Sequence, residues 1–412
     1  MSDSAVPSAC DVAIAGGGPA GAALAIFLGR AGRRVALFDK KRFPRSKPCG
    51  EFLGPECAPI LAALGVDASV AAVGGAPVQG MRLFVGSRCA TGRFVEVGRA
   101  RPSVAHGLAV RRERFDEILL RAAEATPGVT VHEGWTVQGL MRARHGVVTG
   151  LRVRAPDGAA HGVAAGLVVG ADGLRSTVAH ALGVQRPIAW LDKVALTTRC
   201  SGVEPRECAE VHFVPGGYFA ATTVDDGLFS LNLVLDRRAL RARDGDWDAF
   251  FAAHLARAPA LAARLRGARR VDPVRGCGPL AVTTTMQAVP GAALVGDACG
   301  YVDPVTGEGL FFALRGAQLL AGAAQAALAE PSAAYAALRD YERARRAEFA
   351  PRLRLALLLQ RGLRHPTLVE HVMGLLQARP RLADLLVSLT GDYAPMRELL
   401  RPRVWWHALR RA

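Results

Sequence analysis

The stretch Cys10-Asp11-Val12-Ala13-Ile14-Ala15-Gly16-Gly17-Gly18-Pro19-Ala20-Gly21 decides the fold of this chain. Asp11 to Ala15 reads as a short buried strand of small and β-branched residues, and it runs into a G-x-G-x-x-G turn. Ala22 to Arg30 follows as an Ala/Leu-rich helix that stops near Gly32, and Arg34 to Phe38 reads as a second strand ending on Asp39. Each part has a task in holding a dinucleotide: Gly16 permits the tight turn, Gly18 lets a pyrophosphate approach the backbone, and Gly21 lets helix pack on strand. The helix start offers unpaired N–H groups and a positive dipole end to phosphates. Asp39 stands 18 residues beyond Gly21, where an acid can accept from a ribose hydroxyl.

The chain has 412 residues, enough for two or three domains. Half of the residues are hydrophobic and 45 are glycine, which excludes a disordered or fibrous protein and suits an α/β enzyme. The eight cysteines contain no C-x-x-C pair, so neither a metal site nor a disulfide framework is expected. No leader pattern precedes the first strand and no apolar run is long enough to span a bilayer, which predicts a cytoplasmic protein. The net charge is +16, nearly all of it from arginine. Such a balance suits nucleic acid, anionic lipid or an acidic carrier protein, and it also follows from codon bias alone. With no nucleic-acid-binding signature beside it, no nucleic-acid partner is expected.

Further along, Lys40 to Pro55 is basic and broken by Pro and Gly. Strands are expected at Met81 to Val85 and Arg93 to Val97, a helix at Arg111 to Ala125, and a separate sheet over Val194 to Leu235. Two more strands end in acids: Leu167 to Gly170 leads into Ala171-Asp172-Gly173, and Ala292 to Val295 into Gly296-Asp297. A loop with Asp303-Pro304-Val305-Thr306-Gly307-Glu308-Gly309 then opens an Ala/Leu helix from Leu310 to Ala329.

With these three landmarks in order, residues 10 to 340 resemble the flavoproteins of the para-hydroxybenzoate hydroxylase fold, the FAD-dependent monooxygenase superfamily. The resemblance implies an α/β fold: a Rossmann-type FAD-binding domain, an inserted β-sheet substrate domain and a helical C-terminal region. The expected division is 1–75, 100–190 and 270–340 for the FAD domain, 76–99 and 191–269 for the sheet, and 341–412 for the helices. Gly16, Gly18, Pro19, Ala20 and Gly21 would hold the FAD pyrophosphate, with Asp39 on the adenosine ribose. Lys40, Arg45 and Gly50 would lie beside the cofactor, Arg111 along it, and Asp172 with Gly173 would serve both FAD and a transient NAD(P)H. Gly296 and Asp297 would bind the ribityl chain. Pro304, Gly307, Glu308, Gly309 and Leu310 would flank the isoalloxazine, where amides at a helix start favour an anionic reduced flavin.

Arg42-Phe43-Pro44-Arg45-Ser46-Lys47-Pro48-Cys49-Gly50-Glu51 is most similar to the geranylgeranyl reductase branch, where a cysteine nears the flavin. Cys49 is thus either a proton donor or a buried packing residue. Those reductases carry a Tyr-x-Trp motif where this chain has Tyr218-Phe219-Ala220. The flavin halogenases are relatives too, but their Trp-x-Trp-x-x-Pro signature is missing and no lysine stands in their setting, so halogenation is not expected. The resemblance implies NAD(P)H- and O2-dependent hydroxylation of a hydrophobic aromatic or polyketide-like molecule, with Cys49, Tyr218 and Pro304 lining the pocket. Alkene reduction on a prenyl lipid and a non-enzymic flavin-binding partner protein are the alternatives. The leucines from Leu353 to Leu359 and Trp405-Trp406 with Arg410 and Arg411 suggest amphipathic helices. These either cap the substrate domain or contact a membrane surface or carrier protein, which would make the protein peripheral to the membrane.

Overall fold

The computed structural model describes residues 6–99, 102–242, 246–391 and 393–409; Arg410 and Arg411 lie outside them. Five parallel strands form the centre of an eight-stranded sheet, in the order Ala292–Leu294, Ala160–Gly170, Ala9–Ala15, Val35–Asp39 and Val129–Glu133. The opening strand lies in the middle, with Ile14 paired to Val169 on one side and Leu37 on the other. Both faces are therefore buried, and Val12, Ala13, Ile14 and Ala15 are fully inaccessible to solvent. Helices Pro19–Arg30, Arg112–Glu124 and Gly309–Ala329 cover one face through Leu24, Phe115, Leu119 and Leu314.

A second eight-stranded sheet is inserted into this frame. Lys193–Ser201, Phe229–Asp236, Gly217–Thr223 and Ala209–Val214 form an antiparallel meander, and Ala209–Val214 also pairs in parallel with Gly80–Val85. One face is closed by helices Trp247–Leu255 and Pro259–Arg264 over Leu196, Phe219, Leu231 and Leu233. Its other face turns toward the parallel-sheet domain, where Val211, Tyr218 and Val234 join a cluster with Leu280.

The strand expected at Arg93 to Val97 instead occupies Arg88–Arg93. Phe94 N–H still donates to the Gln79 carbonyl at 2.9 Å, and Val95 to Val97 then leave the ladder toward the C-terminal segment. Val95 N–H donates to Ser388 Oγ at 3.0 Å, and Phe94 stacks on Tyr393 at 5.4 Å. Helix Pro380–Thr390 covers this edge closely: a Cβ on Gly92 would come within 2.4 Å of the Ala383 carbonyl oxygen. The long helix Ala334–Gly362 crosses the domain boundary expected at 340, since neither Gly nor Pro interrupts it before Pro351.

Candidate active site

The glycine turn is shaped by what its residues lack. A Cβ on Gly21 would stand 1.9 Å from the Gly16 carbonyl oxygen, so the helix closes on the strand only with glycine there. Gly16 adopts φ +102°, and a Cβ on it would meet the Ala171 carbonyl at 2.5 Å. At Gly18 a Cβ would meet only an Arg45 guanidinium nitrogen, at 3.3 Å. The helix that starts at Pro19, with Ala20 in its first turn, has no acidic residue there and no side-chain cap. Free amides, open space and a nearby guanidinium make a cradle for an anion, which fits the pyrophosphate of FAD. Arg45 is aimed by the fully buried Asp116, 3.3 Å from Nη1.

Asp39 ends the second strand and is buried. Its carboxylate accepts from Gly17 N–H and Lys41 N–H, both at 2.8 Å, leaving lone pairs for a ribose hydroxyl. Lys40 beside it is exposed, and Gly50 faces open space. Asp172 follows the next strand, but its oxygens accept from Ser176 Oγ at 2.5 Å and Thr177 N–H at 2.6 Å, capping helix Thr177–Ala181. Burial nonetheless holds its carboxyl above the ordinary range. Gly173, at φ +81°, lies near Lys47 Nζ, which in turn sits 3.6 Å from Asp297. Gly296 abuts Ala20, where a Cβ would come within 2.9 Å of the Ala20 methyl. The three landmarks thus meet around one cleft, although Gly16 and Asp297 stand 281 positions apart along the chain.

Beyond Asp297 the Pro304 loop is held from both sides. Asp303 Oδ1 accepts from Val305 N–H at 2.9 Å and from Tyr218 Oη at 2.5 Å, so the inserted sheet clamps the loop. Lys193 Nζ lies 3.8 Å from Asp303 Oδ2 and donates to Gln360 at 2.6 Å. Burial raises the Asp303 carboxyl, and it also lifts the Tyr218 hydroxyl well above 10, reinforced by Asp303. Tyr218 is wholly buried, its hydroxyl committed to this clamp. Glu308 is turned to Arg352 Nη1 of the C-terminal helix at 3.0 Å, and Gly307 gives way to the Phe52 ring. Gly309 and Leu310 begin the helix whose amides face the loop.

Cys49 accepts a contact from Glu51 N–H at 3.4 Å and lies beside the Arg112 guanidinium. Arg112 itself forks onto Asp116 at 2.7 and 2.8 Å. Burial opposes the Arg112 charge, and Asp116, then Cys49, more than restore it. Arg111 turns the other way. Its Nε meets Asp225 Oδ2 at 2.8 Å and its far nitrogen reaches Asp226, so it ties this helix to a turn of the inserted sheet. The arginine at Cys49 is therefore residue 112, since successive residues at a helix start diverge by about 100°.

Sequence reasoning did not single out the polar crevice between the 46–51 segment and the sheet. Arg199 sits there, 2.5 Å from Glu51, 2.7 Å from Glu113 and 3.0 Å from Asp272. Glu51 adopts φ +58°, a local oddity no sequence pattern announces. Among the described residues no group of His, Cys, Asp and Glu could hold a metal ion, and no helix is long and apolar enough to cross a membrane.

The FAD binding domain family matches residues 9–214, half of the chain. This chain belongs to that family. A Dictyostelium discoideum protein, conditioned medium factor receptor 1, is 28% identical over 96% of this chain and 78% of its own length. The digeranylgeranylglycerophospholipid reductase 2 of Methanothermobacter thermautotrophicus is 31% identical over 52% of this chain and 54% of its own. Among solved structures, the myxobacterial chondrochloren halogenase, an FAD-dependent halogenase, superposes with a TM-score of 0.77 at 28% identity, covering 83% of this chain and 80% of that one. The chain is an FAD-dependent enzyme of the para-hydroxybenzoate hydroxylase fold.

Proposed function

We propose that this flavoenzyme is an NAD(P)H- and O2-dependent monooxygenase that hydroxylates a hydrophobic aromatic or polyketide-like molecule. The observation that carries the reading is the roof over the Pro304 loop. Val211, Tyr218 and Val234 of the inserted sheet pack there with Leu280, Tyr301 and Val305. Such a wall desolvates an apolar substrate beside the loop and excludes water from it. FAD, when bound, supplies hydride acceptance and oxygen activation. This chain's own residues hold its phosphates with amides and Arg45, fix the loop through Tyr218 and Asp303, and close the cleft. Only one dinucleotide fingerprint occurs, which supports a reductant that docks briefly and leaves.

The test is turnover of FAD-loaded protein with NADH or NADPH and a panel of alkylphenols under labelled oxygen. Faster reductant oxidation and one labelled oxygen atom in the product are expected. Gain of two hydrogens on a prenyl alkene under anaerobic conditions, with no oxygen incorporated, would replace this reading with alkene reduction. Cys49 favours that second reading, because its sulfur lies beside the Arg112 guanidinium and accepts from Glu51 N–H at 3.4 Å, in the segment most similar to the geranylgeranyl reductases. It also suits the likeness to the archaeal lipid reductase.

A peripheral site at a membrane belongs to the same proposal. On helix Pro366–Ala378, Leu368, Val372 and Leu375 form an exposed stripe spaced four and three apart, and Trp406 is 68% exposed on the last helix. Co-sedimentation with anionic vesicles is expected and should fall when Leu368 and Val372 are both changed to Ser.

A further inference from the structure

A cavity of about 200 Å3 lies between the long helix Ala334–Gly362 and the small sheet of Gln185–Pro187, Val282–Thr284 and Gly300–Tyr301. Ile188, Val282, Val302, Leu353 and Leu357 line it with apolar surface, and two arginines, Arg345 and Arg346, face it from the helix. Arg346 is exposed, whereas only 8% of Arg345 is accessible.

The Arg345 guanidinium stacks 5.3 Å from the Phe349 ring centroid and makes no hydrogen bond or ion pair among the described residues. The acids nearest along its helix are already engaged. Glu342 accepts from the backbone N–H groups of Gln287 at 2.5 Å and Ala288 at 3.0 Å, and meets Arg339 at 3.3 Å. Glu348 pairs with Arg315 at 3.4 Å. Among the described residues no carboxylate lines the cavity. Its other titratable neighbours are the buried Cys299 and Tyr341 and the half-buried Tyr301, and Tyr341 Oη donates to the Leu294 carbonyl at 2.8 Å. A buried cation without a counter-charge is costly, and an anion entering from solvent removes that cost.

We infer that this cavity is a binding site for an organic carboxylate with an apolar body, its head on Arg345 and its chain against Leu353 and Leu357. A guanidinium offers a planar fork that matches a carboxylate, and the apolar wall opposite rejects small hydrated anions. The volume, below the roughly 300–1,000 Å3 of drug-sized sites, suits a short acyl or arylalkyl acid. Tyr301 lines this cavity and also belongs to the roof cluster over the Pro304 loop. The inference holds whether the flavin chemistry is oxygenation or reduction.

The experiment is calorimetric titration of the full-length, FAD-loaded protein with octanoate, octanol and octyl phosphate, each below its aggregation concentration. Octanoate is expected to bind one to one and at least tenfold more tightly than octanol. Arg345→Gln should weaken octanoate at least tenfold while leaving octanol unchanged, and Arg345→Lys should fall between. Equal octanoate affinity in Arg345→Gln and the parent protein overturns the site, as does octanol binding as tightly as octanoate. Octyl phosphate binding tenfold more tightly than octanoate overturns the carboxylate assignment. Should Arg345→Gln not fold, Leu353→Trp fills the cavity with Arg345 intact. Abolished octanoate binding is then expected, and unchanged binding overturns the inference.

Discussion

The nucleotide cradle and the sheet–loop interface are built on opposite principles. Around Gly16, Gly18 and Gly21 the site consists of backbone amides and of space that side chains would fill. Where the inserted sheet meets the Pro304 loop and the 46–51 segment it consists of side chains that reach across the fold, Tyr218 to Asp303 over 85 residues and Arg199 to Glu51 over 148. The first kind of site tolerates no added atom, and the second tolerates no missing one. The cradle should therefore respond to mutation by losing ligand, and the interface by losing stability or turnover with ligand retained.

The largest effect on cofactor retention is expected at Gly21. Gly21→Val forces a side chain onto the Gly16 carbonyl and should lower FAD affinity at least about a hundredfold, roughly 2.8 kcal/mol. Flavin absorbance of the purified protein against its circular dichroism measures this; full flavin content in the variant would break the contrast. Next comes Asp116→Asn, which leaves Arg112 and Arg45 without their buried carboxylate. A stability loss of about 3–5 kcal/mol in denaturant titration is expected, because a buried charge is then uncompensated. Tyr218→Phe removes the 2.5 Å bond to Asp303 and should cost about 1–3 kcal/mol while keeping FAD. If that variant instead lost flavin as Gly21→Val does, the clamp would belong to the cradle and the two regions would not be distinct.

The smallest effect is a pH dependence remote from both regions. Burial opposes ionisation of Glu210, but His212 Nε2 at 2.9 Å, Arg264 and Arg206 together hold its carboxyl below the ordinary 4.5. A depressed folded-state value means the stabilisation is present above 4.5 and is lost as pH falls through the folded value. Glu210→Gln should therefore flatten the acid limb of the Tm–pH curve and leave the slope near neutrality unchanged.

Much of the nucleotide half was legible in the residues, since strand, glycine turn, helix and terminal acid are contiguous and each obeys a local rule. The loop from Asp303 to Gly309 and the helix it opens were likewise readable from their own motif. The roles of adjacent arginines were not legible. Arg111 and Arg112 are alike as letters, and only the partners offered by Asp225, Asp226 and Asp116 separate them. The displaced strand at Arg88–Arg93 has the same origin, because Phe94 and Val95 follow Tyr393 and Ser388 rather than their own alternation.

By itself the sequence determined a Rossmann-type FAD site, its family, and the order of the segments that build it. Those depend on backbone conformation and glycine spacing, which are short-range properties. Tertiary structure alone decided that Tyr218 clamps Asp303, that Arg112 rather than Arg111 meets Cys49, and that Arg345 is buried beside a cavity without an acid. Charge pairing and burial are set by whatever the fold brings within a few ångströms, and residues far apart in the chain carry no local mark of that encounter.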